Sequence, residues 1–174
     1  TDLKVITMVR PRAAGFCYTR EEFETMKLDV TLMLENGADG VAFGCLTSDS
    51  EIDVKQTKEI VDIIKSFNKE VVFHRAFECV RDVDRAINIL IELGVDRVLT
   101  SGLKPKAMEG IEMIKYLQDK YGDRIEILAG SGMNASNAKE MMDRTGISQV
   151  HSSCKGWRYD STTSGKFVNY CYAG

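Results

Sequence analysis

Four groupings in the 174-residue sequence have residue types and spacing that could do chemistry: Arg10-Pro11-Arg12, His74-Arg75 with Glu78, Gly130-Ser131-Gly132 with Asn134, and His151 three residues before Cys154. Histidine titrates near neutral pH, which makes His74 the candidate acid–base residue. Strand alternation lets only one of His74 and Arg75 point to a given face, and Glu78 is placed to orient or neutralise the other. The plain alternative is a hydrogen-bonded histidine with no turnover. Pro11 fixes φ and removes a backbone donor, so the chain passes Arg10 and Arg12 extended. A guanidinium aimed into a cavity from there would grip a carboxylate or phosphate by two hydrogen bonds. A structural arginine paired with a nearby acid is the competing reading. Arg10 is grouped with His74 and Arg75 as a catalytic set, and Arg12 with the anion-binding residues.

The glycines at 130 and 132 let backbone N–H groups approach an anion, and a helix start at Asn134 would add a favourable dipole. Gly130, Ser131, Gly132 and Asn134 are therefore the expected phosphate loop, with Ser101 of Thr100-Ser101-Gly102 as a further hydroxyl donor. A tight turn with no ligand would read the same way. His151 and Cys154 are the candidate Cu(I) ligands, since copper(I) takes imidazole and thiolate. Two ligands fall short of a closed site, and His74 or Cys45 would have to complete it. The five cysteines (17, 45, 79, 154 and 171) are odd in number and contain no CxxC pair, so free thiols are expected, with Cys17 and Cys79 as packing residues.

These groupings sit at the ends of a repeating element. Short, mostly apolar runs occur at residues 4–9, 40–44, 70–74, 96–100, 125–128 and 148–152, as for parallel strands covered on both faces. Helices lie between them. Thr19 with Glu22 forms a capping box ahead of Phe23, Met26, Val30 and Met33. Asp53 and Asp82 open the next two, Pro105 suits the first turn of a fourth, and Asn134 caps a fifth. Gly37, Gly94 and Gly146 each stand between a helix and a strand, at intervals of 57 and 52 residues. Two βα units fit each interval, which points to an α/β fold with a parallel sheet. Six strands fit either an open doubly wound sheet or part of a barrel, because a full (β/α)8 barrel rarely has fewer than about 200 residues. No GxGxxG follows the first strand, which weakens the dinucleotide-binding version of the open sheet.

Composition narrows the functions. The net charge of −3 and pI near 5.5 argue against a nucleic-acid binder. No apolar run approaches the roughly 18 residues of a membrane span, and residues 1–10 carry no secretory pattern, so a cytoplasmic protein is expected.

The run MVRPRAAGFCYTREEFETM (residues 8–26) resembles the MIRPR-G-F-Y segment that follows the third barrel strand in the copper-homeostasis CutC family. GADGVAFGCLT (37–47), FHRAFE (73–78), GVDRVLTSG (94–102), GSGMNASN (130–137) and VHSSC (150–154) match further family segments in order. The resemblance implies a TIM (β/α)8-type barrel lacking its first two βα units, here one domain over residues 1–174 with a tail at 157–174. It also implies a copper homeostasis protein that binds, buffers or traffics Cu(I) in the cytoplasm. The family cysteines most often suspected of holding copper lie in its first two strands, which this sequence does not contain. The alternative is an enzyme acting on a small phosphorylated or anionic metabolite. With two strands missing, both sheet edges are left unpaired, and a homo-oligomer is expected.

Overall fold

The computed structural model describes residues 3–156 together with 158, 162 and 165–167. The expected tail at 157–174 therefore lies largely outside the described residues. Six parallel strands run β1 (Ile6–Met8), β2 (Gly40–Phe43), β3 (Glu70–Phe73), β4 (Arg97–Thr100), β5 (Glu126–Gly130) and β6 (Val150–His151), each paired with the next in chain order. Five α-helices connect them: α1 (Arg20–Glu35), α2 (Val54–Ser66), α3 (Val83–Glu92), α4 (Ile111–Tyr121) and α5 (Ala138–Thr145). A short 3-10 turn, Arg75–Cys79, directly follows β3. The sheet curls into a half-barrel and stays open, and among the described residues β1 and β6 do not pair. This is the (β/α)-barrel architecture expected from the sequence, without its first two units.

Local chemistry sets where the helices start. The Thr19 hydroxyl accepts from Glu22 N–H at 3.3 Å while the Glu22 carboxylate accepts from Thr19 N–H at 2.9 Å, closing the capping box. Asp53 accepts from Gln56 N–H at 2.9 Å and Asp82 from Arg85 N–H at 3.0 Å. The three linker glycines, Gly37, Gly94 and Gly146, hold φ of 90°, 82° and 78°, the left-handed region that ends a helix without Cβ strain.

Strand alternation divides the core. Val41, Phe43, Val71, Phe73, Val98 and Ile127 point out of the curl and are fully buried under helix residues such as Met26, Ile60, Ile64, Ile87, Leu90, Ile114 and Leu117. Each such side chain stabilises the fold by roughly 1.5–3 kcal/mol on burial. The alternate residues face into the curl. At its amino end, Arg97 bridges Glu70 at 2.6 Å and Glu126 at 2.7 Å. Leu99 follows two residues later, level with His74 in the register that pairs Phe73 with Val98.

Two expected helix starts are corrected. Pro105 does not open α4, which begins at Ile111. Residues 103–110 are instead tied down in turns, with Ala107 N–H donating to the Ser131 carbonyl at 3.0 Å and Gly110 N–H to the Ala107 carbonyl at 3.0 Å. Asn134 does not cap α5, whose cap position is Asn137. The Asn134 side chain folds back locally, accepting from Ser136 N–H at 2.9 Å, and its own N–H donates to Asn137 Oδ1 at 2.9 Å.

Candidate functional site

The carboxyl ends of β1, β3 and β4 and the segments that follow them enclose a cavity of about 420 Å³. It is lined by Met8, Arg10, Phe16, His74, Arg75, Ala76, Glu78, Cys79 and Leu99. The structure thus brings Arg10, His74 and Arg75 to one place. Alternation was expected to let only one of His74 and Arg75 reach the inside, yet both line the cavity. The chain leaves β3 at His74 and turns at once into the 3-10 segment, and a turn does not obey strand alternation.

His74 is buried, with 4% of its surface exposed. Its Nδ1 accepts the backbone N–H of Ala76 at 3.1 Å, so the imidazole caps the 3-10 turn. The ring is held edge-on by Phe16, with centroids 5.2 Å apart, and by Phe73 at 6.2 Å. Gly44 lies flush against it: a β-carbon there would sit 2.6 Å from the imidazole Nδ1 and Cε1. Burial pushes the pKa of His74 down to about 4, the backbone hydrogen bond opposing and the positive charge of Arg10 adding to the shift. The imidazole is therefore neutral near pH 7. Among the described residues its Nε2 is buried without a hydrogen-bond partner.

The arginines have different neighbours. Arg10 donates to the Ala14 carbonyl at 2.8 Å and stacks its guanidinium 5.0 Å from the Phe16 ring centre. Arg75 donates through Nη2 to Ser101 Oγ at 2.9 Å. Its Nε is 3.6 Å from Glu78 Oε1, beyond hydrogen-bond length, and is buried without a partner among the described residues. The carboxylate of Glu78 instead accepts the backbone N–H groups of Ser101 and Leu103 and so fixes the loop after β4. Ser101 is engaged as well, accepting from Arg75 and donating to the Lys104 carbonyl.

Arg12 sits outside the cavity lining. It pairs with Glu22 and donates to the carbonyls of Gly15 at 3.1 Å and Cys17 at 2.8 Å, with Tyr18 under its guanidinium at 5.3 Å. Its partner Glu22 is held below the usual carboxylate range by the hydrogen bond from Arg12 and by that from Thr19 N–H. The loop Gly130-Ser131-Gly132-Asn134 is also apart from the cavity. The Ser131 hydroxyl donates to the Pro105 carbonyl at 2.7 Å, and the Gly132 carbonyl accepts from the Asn137 side chain at 3.0 Å. His151 and Cys154 are exposed beside the β6 edge. Among the described residues no three His, Cys, Asp or Glu side chains gather as a metal site. Cys45, the other thiol considered for such a site, is buried, and desolvation drives its pKa far above the usual thiol value.

Sequence reasoning gave no site role to Phe16, Gly44 or Cys79. Phe16 lies in the distinctive Arg10–Tyr18 stretch, but nothing in the sequence says that its ring spans Arg10 and His74. Gly44 signals a close approach only once its neighbour is known. Cys79 was read as a packing residue, yet it is exposed and lines the cavity.

The profile described as the CutC family matches residues 1–156. The family protein CutC of Treponema denticola is 46% identical over 151 residues, covering 87% of this chain and 61% of that protein. Its counterpart in Vibrio campbellii is 37% identical over 156 residues, covering 90% of this chain and 63% of that protein. The chain therefore spans about three-fifths of the length of the curated relatives it matches. The crystal structure of CutC from Streptococcus agalactiae, assigned provisionally to copper homeostasis, superposes with a TM-score of 0.81 at 31% identity, covering 86% of this chain and 72% of that one.

Proposed function

The chain belongs to the CutC family, and from that premise we propose that it binds a small anionic, carboxylated or phosphorylated metabolite in the cavity at the carboxyl ends of β1, β3 and β4. One observation carries this reading. Two arginines and a buried imidazole meet at a single cavity, and two of their donors, His74 Nε2 and Arg75 Nε, are buried without acceptors among the described residues. Buried donors are nearly always paired, so an oxygen-bearing ligand is the natural partner. The guanidiniums of Arg10 and Arg75 supply charge, while Met8, Phe16 and Leu99 supply an apolar wall. A cytoplasmic setting, where such metabolites are found, is part of this reading.

Titration calorimetry at low salt with pyruvate and with inorganic phosphate tests it. Heat of binding for either anion, reduced at least tenfold in affinity by Arg10→Ala and by Arg75→Ala, supports the proposal. No binding of either anion overturns it. Arg12→Ala is expected to leave the affinity unchanged, because that guanidinium is committed to Glu22 and two carbonyls.

Cu(I) handling is the second reading, favoured by the exposed pair His151 and Cys154 and by the provisional assignment of the S. agalactiae protein. An anaerobic Cu(I) titration against a chromophoric competitor tests it. Stoichiometric binding that is lost in His151→Ala and Cys154→Ala supports a copper site in these residues. Binding unaffected by either change removes them as ligands.

A further inference from the structure

We infer that His74 serves this cavity as a fixed hydrogen-bond donor rather than as a proton acceptor, and that the ligand is a short carboxylate carrying a carbonyl oxygen beside its acid group. The inference rests on the anion-binding reading above and adds the role of the imidazole and the class of ligand.

The geometry at Nδ1 decides the role. A backbone amide can only donate, so the Ala76 N–H occupies the lone pair of Nδ1 and the ring proton must lie on Nε2. In this tautomer the imidazole has no free lone pair to take a proton from a ligand. Protonating Nδ1 would set two N–H groups against each other and release the 3-10 turn that the ring caps. The contacts with Gly44, Phe16 and Phe73 hold the ring in this orientation. What it offers the cavity is one directed, neutral N–H. The other ionisable or charged groups lining the cavity are Arg10, Arg75, Glu78 and Cys79. The Arg10 guanidinium disfavours an imidazolium, and the Glu78 carboxylate accepts the N–H groups of Ser101 and Leu103 and lies 3.6 Å from Arg75 Nε.

The ligand class follows from the donors left open. Among the described residues Arg75 Nε–H and His74 Nε2–H are both buried without a hydrogen-bond acceptor, the nearest carboxylate to Arg75 Nε being that of Glu78 at 3.6 Å. They differ in character: a guanidinium suits a carboxylate, while a neutral N–H suits an uncharged carbonyl oxygen or one on which charge builds. Beside Arg10, Glu78 and Cys79, the residues Met8, Phe16, Ala76 and Leu99 form an apolar stretch of the wall that suits a short carbon chain.

Two measurements test this. Long-range ¹H–¹⁵N spectra of the unliganded chain read the tautomer directly, with His151→Gln removing the only other histidine. His74 is expected to show the Nε2–H tautomer and to stay neutral from about pH 8 to pH 5. An Nδ1–H tautomer, or titration midway near 6.5, overturns the donor role. Pyruvate is then compared with propionate, which lacks the carbonyl. Pyruvate is expected to bind about tenfold more tightly and to shift the His74 Nε2 proton, and His74→Phe should bring the two affinities together. Equal affinity of the unaltered chain for both acids overturns the ligand class. The spectra need no ligand, so their failure is distinct from a failure of anion binding, which would show as no heat with pyruvate, propionate or phosphate.

Discussion

The buried imidazole has a thermodynamic signature besides its chemical one. The pKa of His74 is about 4 in the folded chain against 6.5 for the unperturbed side chain. Between these values the unfolded chain binds the extra proton, so stability is fully present above about pH 6.5 and is lost as pH falls toward 4. The slope approaches about 1.4 kcal/mol per pH unit. Urea denaturation at about pH 7 and pH 5 measures it, and His74→Phe should flatten the dependence in that window, since Glu22, Asp39 and Asp84 are held below the normal carboxylate range and titrate at lower pH. The cysteines divide in the same way by environment. Cys45 is fully buried with its thiol pKa pushed up by desolvation, whereas Cys17, Cys79 and Cys154 are exposed. Iodoacetamide followed by peptide mass spectrometry is expected to label Cys79 in the folded chain and to reach Cys45 only after unfolding. A small carboxylate in the cavity should slow the labelling of Cys79, because that residue lines it.

At the scale of single elements, the site depends on where strands stop and helices start. Replacing Thr19 by Ala removes one half of the capping box of α1 and is expected to cost about 1 kcal/mol, read from the urea midpoint. Gly44→Ala acts at the end of β2. Its added methyl would lie 2.6 Å from the His74 ring, so the imidazole must shift and its bond to Ala76 must lengthen. An overpacking penalty of about 1–3 kcal/mol is expected together with loss of pyruvate binding, measured by calorimetry. The sequence made these elements readable wherever the signal is local. Thr19, Asp53 and Asp82 cap helices with their own side chains, and the strand runs stand out because apolar residues cover both faces. It failed where a distant partner decides. Pro105 has a local preference for a helix start, but Ser131, from another loop, ties down this segment through the Pro105 carbonyl and the Ala107 N–H. Asn134 has a capping side chain, but it is used within its own turn. The candidate site shows the same division. Arg10, His74 and Arg75 were legible as strand-end residues with the right chemistry. The withdrawal of Arg12 toward Glu22, ten residues along the chain, was not, and neither was the ring of Phe16 between Arg10 and His74.

Among the described residues the sheet curls without closing, and this shapes both the site and the expected behaviour of this chain in solution. In a closed barrel the interior is a packed core, and the strand ends face a mouth bounded on every side. Here, among the described residues, β1 and β6 are the two ends of the sheet and neither has a strand on its outer side. The inner layer shows the consequence: Met8 is 58% exposed and lines the cavity from the open flank. Leu3 and Val5, just before the edge strand, are 77% and 51% exposed. Unpaired backbone groups beside large apolar side chains are a template for association, and natural edges are commonly blunted by lysine to prevent it. This edge has Lys4 between its two apolar residues, yet both still face solvent. The chain is therefore expected to associate with itself as its concentration rises, with sedimentation velocity showing mass above that of the 19.5 kDa monomer. The double change Leu3→Lys and Val5→Lys should return it toward the monomer. Because these positions do not line the cavity, pyruvate affinity should survive that change if the site is built within one chain, and should fall with the loss of mass if a second copy completes the open flank. A chain that stays monomeric across the whole concentration range would show instead that the charge of Lys4 and the twist of a three-residue strand are enough to protect the edge.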